Sequence, residues 1–223
     1  MIPLRSTERV QSTTFVVGIL IAINVLVFLY QFQMGDAVTL FDERWGIVPD
    51  AVSGNLITLF TSMFLHGGWL HLLGNMLFLW VFGRNVEDVI GSGRFLALYL
   101  CCGLAAAILQ VVTNPYSRVP TIGASGAIAG VMGAYLIRFP RSRIVTLVFI
   151  IVFVTTVEIP AWIMLLWWFV IQLFSGLGSL ANTNYSGGGI AWFAHVGGFV
   201  TGMLLIRAFP VKRRQWRAWY EEE

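Results

Sequence analysis

Long apolar runs separated by short polar stretches dominate the chain. A helix that spans a membrane needs about 20 mostly apolar residues, and six runs come near that length. They cover residues 15–33, 57–83, 94–113, 124–139, 161–178 and 193–209. The pattern predicts an all-α membrane protein with six spanning helices, organised as one domain over residues 1–223.

The stretch between the first two runs is too polar to span a membrane and too long for a simple turn. Residues 34–56 hold three aspartates, a glutamate and an arginine among Trp45, Pro49 and Gly54. We expect an ordered loop there, on the outer side of the membrane.

Composition supports a membrane protein. The chain is 57% hydrophobic and 11% charged, with a mean hydropathy of +0.79, and so few charges cannot cover a soluble globule. Cys101 and Cys102 are adjacent in an apolar run, which favours neither a structural disulfide nor a metal site.

The net charge of +3 does not indicate nucleic-acid binding, because the basic residues do not follow one polar face. They fall in short clusters at alternate ends of the apolar runs. By the positive-inside rule, the short tails 1–14 and 210–223 and the loops around 84–94 and 138–143 are cytoplasmic.

Two polar side chains open apolar runs. Ser125 lies in GASG and His195 in AHVGG. A serine between glycines is usually a packing residue, and a lone membrane histidine more often binds a carbonyl or serves a proton path. Their joint occurrence at the same inferred depth favours a nucleophile and its base, since serine is nucleophilic only when a base takes its proton.

The helices that carry this pair have small residues on one face. The fourth run contains Gly126, Gly130 and Gly133, and the sixth contains Gly198 and Gly202. Small residues let membrane helices approach closely. We therefore expect a central, buried fourth helix that packs on the sixth and brings the serine and the histidine together.

A further apolar run, Ile144–Pro160, conflicts with this pairing if it is a span. Ser125 and His195 both begin their helices, so they meet only if an even number of crossings separates them. Residues 144–157 are also short for a crossing, and Glu158-Ile159-Pro160 breaks the run. We interpret this region as an interfacial or partly re-entrant cytoplasmic segment.

The second run offers groups that stabilise an oxyanion. His71 and Asn75 are four residues apart, on one helix face, and the backbone N–H of Ser125 is free at a helix start. Such donors accelerate acyl transfer. Asn75 has an alternative role in helix association, and His66, nearer the outer boundary, has one in joining loop to helix.

Metal chemistry is not indicated. The chain has three histidines, no carboxylate inside a predicted span and no HExxH pattern, which argues against a zinc protease. We predict no metal and no cofactor. The same lack of carboxylates predicts a Ser–His dyad rather than a triad.

The order HxxxxHxxxN in the second run, GASG in the fourth and AHVGG in the sixth resembles the rhomboid intramembrane serine proteases. The resemblance covers nearly the whole chain. It extends to Glu87 and Gly91 in NVEDVIG and to the opening MIPLR, which is common in bacterial members.

The resemblance implies a six-helix bundle without extra domains, in which Ser125 is the nucleophile and His195 the general base. His71, Asn75 and the Ser125 backbone N–H would form the oxyanion hole. Gly123 would keep the approach to the serine open, and Gly126 and His66 would support the site.

The resemblance also implies that loop 34–56 lies against the membrane, and that the fifth span and the glycine-rich loop 176–191 gate substrate entry. Some members carry a tyrosine four residues after the serine, stacked on the histidine, and here Ala129 occupies that position. What orients His195 is therefore open, with Trp192, Phe193 and Phe199 as candidates.

The implied function is that of a serine endopeptidase that cuts single-span membrane proteins near the outer face of a bacterial plasma membrane. Its partners would be these substrates and membrane lipid. One alternative is a catalytically silent rhomboid-like protein that binds membrane proteins, but such relatives lack the serine or the histidine. A transporter or proton channel using His71 and His195 would require intramembrane carboxylates or a repeated half, and the sequence has neither.

Overall fold

The computed structural model describes residues 2–150, 153–181 and 191–211. Within these ranges the chain forms a helical bundle with a small antiparallel sheet at one end. The α-helices are α1 (Phe15–Gln33), α2 (Val38–Trp45), α3 (Thr58–Thr61), α4 (Trp69–Phe78), α5 (Arg84–Ile90), α6 (Ser92–Thr113), α7 (Ser125–Arg138), α8 (Ala161–Ala181) and α9 (Trp192–Leu205). The strands are β1 (Ile2–Ser6), β2 (Arg143–Ile150) and β3 (Phe153–Pro160).

Each of the six apolar runs contains helix, but the helices differ in length. Among the described residues, α1, α6 and α8 are long and apolar enough to cross a membrane, and a bent pair in the second run would make a fourth crossing. Helices α7 and α9 have 14 residues each. Six full crossings therefore remain a prediction.

The second run departs from its predicted bounds of 57–83. The helical stretches Thr58–Phe64 and Trp69–Ile90 are bent by 94° relative to each other. Gly68 lies in the bend with φ +151°, a conformation that glycine adopts without a Cβ penalty. The long helical segment thus begins at Trp69 and continues, through a π-helical turn at Leu79–Gly83, to Ile90.

The all-α expectation holds for the bundle but must be corrected for Ile144–Pro160 and for the N-terminal tail. Strands β2 and β3 form an antiparallel hairpin, and β1 pairs with the other edge of β2. Isoleucine, valine and threonine dominate the hairpin, and these residues fit a pleated strand. The run is not a spanning helix, as predicted, and it forms a hairpin where we expected an interfacial or re-entrant segment.

Hydroxyl groups attach this sheet to the bundle. Ser6 Oγ lies 2.6 Å from Tyr135 Oη of α7, and Tyr135 in turn donates to Ser142 Oγ at 2.9 Å. The sheet therefore lies at the end of α7 opposite Ser125.

Two buried carboxylates fix the start of α1. The Glu87 carboxylate accepts from the backbone N–H groups of Val16 and Val17 at 3.0 and 2.9 Å. Asp88 accepts from the Ser12 backbone N–H at 2.8 Å. The first amides of a helix have no partner within it, so Glu87 caps α1, while Asp88 binds the segment just before the helix. Both contacts join the start of α1 to α5.

Helix α7 is the centre of the bundle, as predicted. Every residue from Gly126 to Leu136 is buried. A Cβ on Gly198 would collide with the carbonyl oxygen of Gly126, and one on Gly202 with that of Gly130. Because both contacts advance by four residues, α7 and α9 run in the same direction at close range.

The segment 34–56 is ordered, as expected, and contains α2 and two 3₁₀ turns. Ile47 and Thr121 form an isolated antiparallel bridge, and Arg118 forms an exposed ion pair with Asp50 at 3.1 Å. These contacts join the segment to the chain that leads into α7.

Candidate active site

Ser125 and His195 are in contact across the α7–α9 interface. The Ser125 hydroxyl lies 2.8 Å from His195 Nε2. His195 is only 8% exposed, and α7 begins at the serine itself. A hydroxyl that donates to a shielded imidazole nitrogen is the arrangement that activates serine as a nucleophile.

A residue that the sequence analysis missed contacts the other side of the imidazole. Gln172 of α8 is buried, and its Oε1 lies 2.6 Å from His195 Nδ1. Gln172 is the only amide between Trp162 and Phe174 in an apolar run. A lone polar residue inside a membrane helix is a signal of function and could have identified it.

The aromatic ring that lies against His195 also comes from α8. The Trp168 and His195 ring centroids are 5.6 Å apart, with a tilt of 39°. Phe199, one of the predicted candidates, supports Trp168 at a centroid distance of 6.0 Å. Trp168 therefore occupies the ring-packing role that Ala129 cannot fill.

The start of α7 presents backbone donors beside the serine, and none of them has a partner among the described residues. Ile128 donates the first helical hydrogen bond, to the Ala124 carbonyl at 3.0 Å. The amides of Ser125, Gly126 and Ala127 precede that bond and point toward the helix N-terminus. The positive end of the helix dipole lies at the same place.

Gly123 lets His71 approach this helix start. Its φ is +127°, and a Cβ at this position would lie 2.8 Å from Nε2 and Cε1 of the His71 ring. Its N–H donates to the Ser62 carbonyl at 2.9 Å. Glycine is thus favoured at position 123 for two reasons: the backbone conformation, and the lack of space for a Cβ beside the His71 ring. Both are separate from the predicted role of Gly123 in keeping the approach to Ser125 open.

One nitrogen of the His71 ring accepts a hydrogen bond from the backbone. The Gly67 N–H donates to His71 Nδ1 at 3.4 Å, which leaves Nε2 as the proton-bearing nitrogen of the neutral ring. Nε2 is the atom near Gly123, so His71 presents a donor on the serine side.

His66 contacts Asn75 and is absent from the cavity wall. Asn75 Nδ2 lies 3.0 Å from His66 Nε2, and the His66 backbone N–H donates to Gln31 Oε1 at 3.0 Å. The side-chain amide nitrogen has two N–H bonds. One of them donates to His66, and the other can donate to a group in the cavity that Asn75 lines.

Gln31 extends this network to the outer segment. Its Nε2 donates to Asp42 Oδ1 at 2.7 Å. Burial raises the pKa of the Asp42 carboxyl, and the hydrogen bond from Gln31 opposes that rise. The α1, α2 and α4 elements are thereby joined behind Asn75.

Four of the predicted site residues line one cavity of about 620 Å³. They are His71, Asn75, Ser125 and His195. Its apolar wall includes Phe78, Ile128, Met132 and Trp168. A mostly apolar cleft with a few polar groups is typical of a ligand-binding site.

The remaining predicted residue, Gly126, lies where α7 packs against α6 and α9. Its Cβ would lie 2.6 Å from Ala106 Cβ, so it permits helix packing directly after the serine. Among the residues that the structure describes, no group of three histidine, cysteine or carboxylate side chains could hold a metal ion.

Comparison with known families gives one match that covers most of the chain. The model of the Rhomboid domain matches residues 53–210. This range includes α3 to α9, both strands of the hairpin and all the cavity-lining residues.

Individual relatives are similar over shorter parts of their own length. Rhomboid protease GluP of Bacillus subtilis is 40% identical over 119 residues, which cover 52% of this chain and 23% of that protein. Putative rhomboid protease YdcA of the same organism is 34% identical over 122 residues, 54% of this chain and 61% of that protein. Rhomboid protein 1, mitochondrial, of Saccharomyces cerevisiae is 29% identical over 190 residues, 83% of this chain and 50% of that protein.

Proposed function

The chain belongs to the rhomboid family of integral membrane proteins, and we propose that it is a serine endopeptidase that hydrolyses peptide bonds of single-span membrane proteins. The observation that carries this proposal is the 2.8 Å contact between Ser125 Oγ and His195 Nε2 at the wall of a cleft. Similarity to proteins named rhomboid proteases supports the same reaction class.

In the proposed first step, Ser125 Oγ attacks the carbonyl carbon of the substrate while His195 Nε2 takes the hydroxyl proton. The tetrahedral intermediate collapses when the imidazolium gives this proton to the leaving amine, and the C–N bond breaks. The products of this step are the free amine fragment and an ester on Ser125.

The negative oxygen of the intermediate needs donors that are already in place. We assign this role to the Ser125 backbone N–H, His71 Nε2–H and the second N–H of the Asn75 amide. All three residues line the same cavity. Donors fixed before the reaction lower the barrier because they need no reorganisation when charge develops.

In the second step, water attacks the ester carbonyl while His195 Nε2 takes a proton from the water. The ester C–O bond then breaks, the imidazolium returns the proton to Ser125 Oγ, and the carboxyl fragment is released. The reaction needs water inside the bundle. The cavity of about 620 Å³ that reaches Ser125 has room for water and an extended peptide.

A helical substrate shields its peptide bonds in internal hydrogen bonds. It must unwind locally before Ser125 reaches a carbonyl. Segments that contain glycine, proline or other weak helix formers are therefore the proposed substrates.

The proposed location is a bacterial plasma membrane, with both termini in the cytoplasm and the catalytic end of α7 toward the outer face. The clusters of arginine and lysine near residues 84–94, 138–143 and 207–217 support this orientation. Strand β1 pairs with β2 and contacts α7 through Ser6 and Tyr135, which supports one domain that includes the N-terminal residues.

Labelling with a fluorophosphonate probe tests the proposal. The wild-type protein in detergent or liposomes should form a covalent adduct, and Ser125→Ala should not. Ser179→Ala is the matched control, because Ser179 Oγ bonds to the Gly176 carbonyl of its own helix and should label like wild type. A wild-type protein that does not label would favour the catalytically silent alternative.

A further inference from the structure

Helix α8 contributes two side chains to the surroundings of His195. Gln172 Oε1 lies 2.6 Å from His195 Nδ1, and the Trp168 ring lies 5.6 Å from the His195 ring between centroids. Gln172 is 6% exposed and His195 8%. The contact is thus shielded, and its donor and acceptor have little access to water.

The chemistry of the contact determines which imidazole nitrogen carries the proton. An amide oxygen only accepts, so the proton must lie on His195 Nδ1. A neutral imidazole has one proton, which leaves Nε2 with a free lone pair. Nε2 is the atom that faces Ser125 Oγ at 2.8 Å.

We propose that Gln172 is the positioning residue for the general base, because it fixes His195 in the tautomer and ring orientation that can take the serine proton. This inference rests on the proposed function for its catalytic meaning. An amide supplies the orienting hydrogen bond that a carboxylate supplies in a Ser-His-Asp triad, and it does so without placing a charge inside the bundle.

An uncharged partner has a physical consequence for the base. A carboxylate would stabilise the imidazolium and move its formation to higher pH. Gln172 orients the ring without adding that stabilisation of the charged form.

Trp168 completes the arrangement from one turn earlier on α8. Trp168 packs against the His195 ring, and Gln172 is hydrogen-bonded to Nδ1 of the same ring. Trp168 and Gln172 are four residues apart and therefore lie on one face of α8. Of the three long apolar helices in the described part of the chain, α8 is the least buried: 22% of its apolar stretch is buried inside the protein, against 33% for α1 and 44% for α6. The orientation of the base therefore depends on a peripheral helix.

The tautomer can be measured directly by ¹⁵N NMR, because the chain has only three histidines. Protein labelled at the imidazole nitrogens, with His195 assigned by a His195→Gln variant, should show His195 protonated at Nδ1 and bare at Nε2 near neutral pH. Gln172→Leu should lose the hydrogen-bonded Nδ1–H signal. A wild-type ring protonated at Nε2 would overturn the proposal.

Turnover of a single-span reporter substrate against pH supplies the second readout. Gln172→Leu should lower kcat by about tenfold or more, with little change in KM. This loss should be smaller than the roughly 10⁴-fold loss in kcat when the aspartate of a Ser-His-Asp triad is replaced by asparagine. Gln172→Glu should retain activity at high pH, with the acid limb of its profile moved up by about one pH unit or more. A residue 172 that does not contact the His195 ring would give no such movement.

Gln110→Leu is the matched control. It makes the same substitution in α6, at an amide oxygen that is buried without a partner among the described residues, and its pH profile should overlay that of wild type. If Gln172→Glu leaves the acid limb in place, the positioning role is wrong. If the NMR shows the Nδ1–H tautomer but the wild-type serine never labels, the contact is supported and the proposed function fails.

Discussion

Gly198 of α9 lies so close to Gly126 of α7 that a Cβ on Gly198 would collide with the Gly126 carbonyl oxygen. Ser125 directly precedes one member of this contact, and His195 precedes the other by less than one helical turn. The glycine contact therefore places the nucleophile and the base at the same level.

Gly198→Ala should separate the two helices or strain their backbones. We expect a loss of about 1–3 kcal/mol in the free energy of unfolding, as for other overpacked sites, and a larger fractional loss of activity than of folded protein. Gly18→Ala in α1 is the control, because nothing lies within 4 Å of its Cβ position. Equal stability of both variants in a denaturation series would show that the contact is looser than described.

Gly123→Ala should impair the site without unfolding the bundle. Its φ of +127° is unfavourable for alanine, and the new methyl group would lie 2.8 Å from the His71 ring. The expected result is lower kcat together with an altered His71 imidazole signal in NMR. Full activity with an unchanged His71 signal would contradict the described approach of the two residues.

Asn75→Ala should reduce kcat by about 10²- to 10³-fold with KM nearly unchanged, as for other lost oxyanion donors. His66→Ala should reduce it less, because His66 acts through the Asn75 amide at 3.0 Å. The double variant should be no worse than Asn75→Ala alone. Additive losses would mean that His66 has an independent role.

The hairpin gives a test of topology. In a background without Cys101 and Cys102, a cysteine at the exposed Thr156 should react with a membrane-impermeant thiol reagent only from the cytoplasmic side. A cysteine at Tyr116, which is 87% exposed, should react only from outside. Reaction of residue 156 from outside would contradict the orientation proposed for the chain.

The sequence predicts some of these features well because they depend on local pattern. The first apolar run covers residues 15–33 and α1 covers Phe15–Gln33, since an uninterrupted apolar stretch defines its own ends. The buried α7 followed from its glycine and alanine residues. The ordered 34–56 segment followed from its polar content and length.

Other features depend on partners that are distant in the chain. Strand β1 forms because Pro3 pairs with Thr146, and no local pattern indicates that pairing. The contact of Gln172 with His195 spans 23 positions and depends on the rotation of α8 about its axis. Hydropathy marks α8 as apolar but leaves its inward face undetermined.

The central claim is that Ser125 and His195 act as one unit, and a double-mutant cycle on hydrolysis of a reconstituted single-span reporter tests it most directly. Ser125→Ala, His195→Ala and the double variant should lose the same factor in kcat/KM, because residues that act together fail together. Each variant should remain folded and inserted, with a melting profile close to that of wild type. Substantial turnover by Ser125→Ala, or multiplied losses in the double variant, would contradict the account.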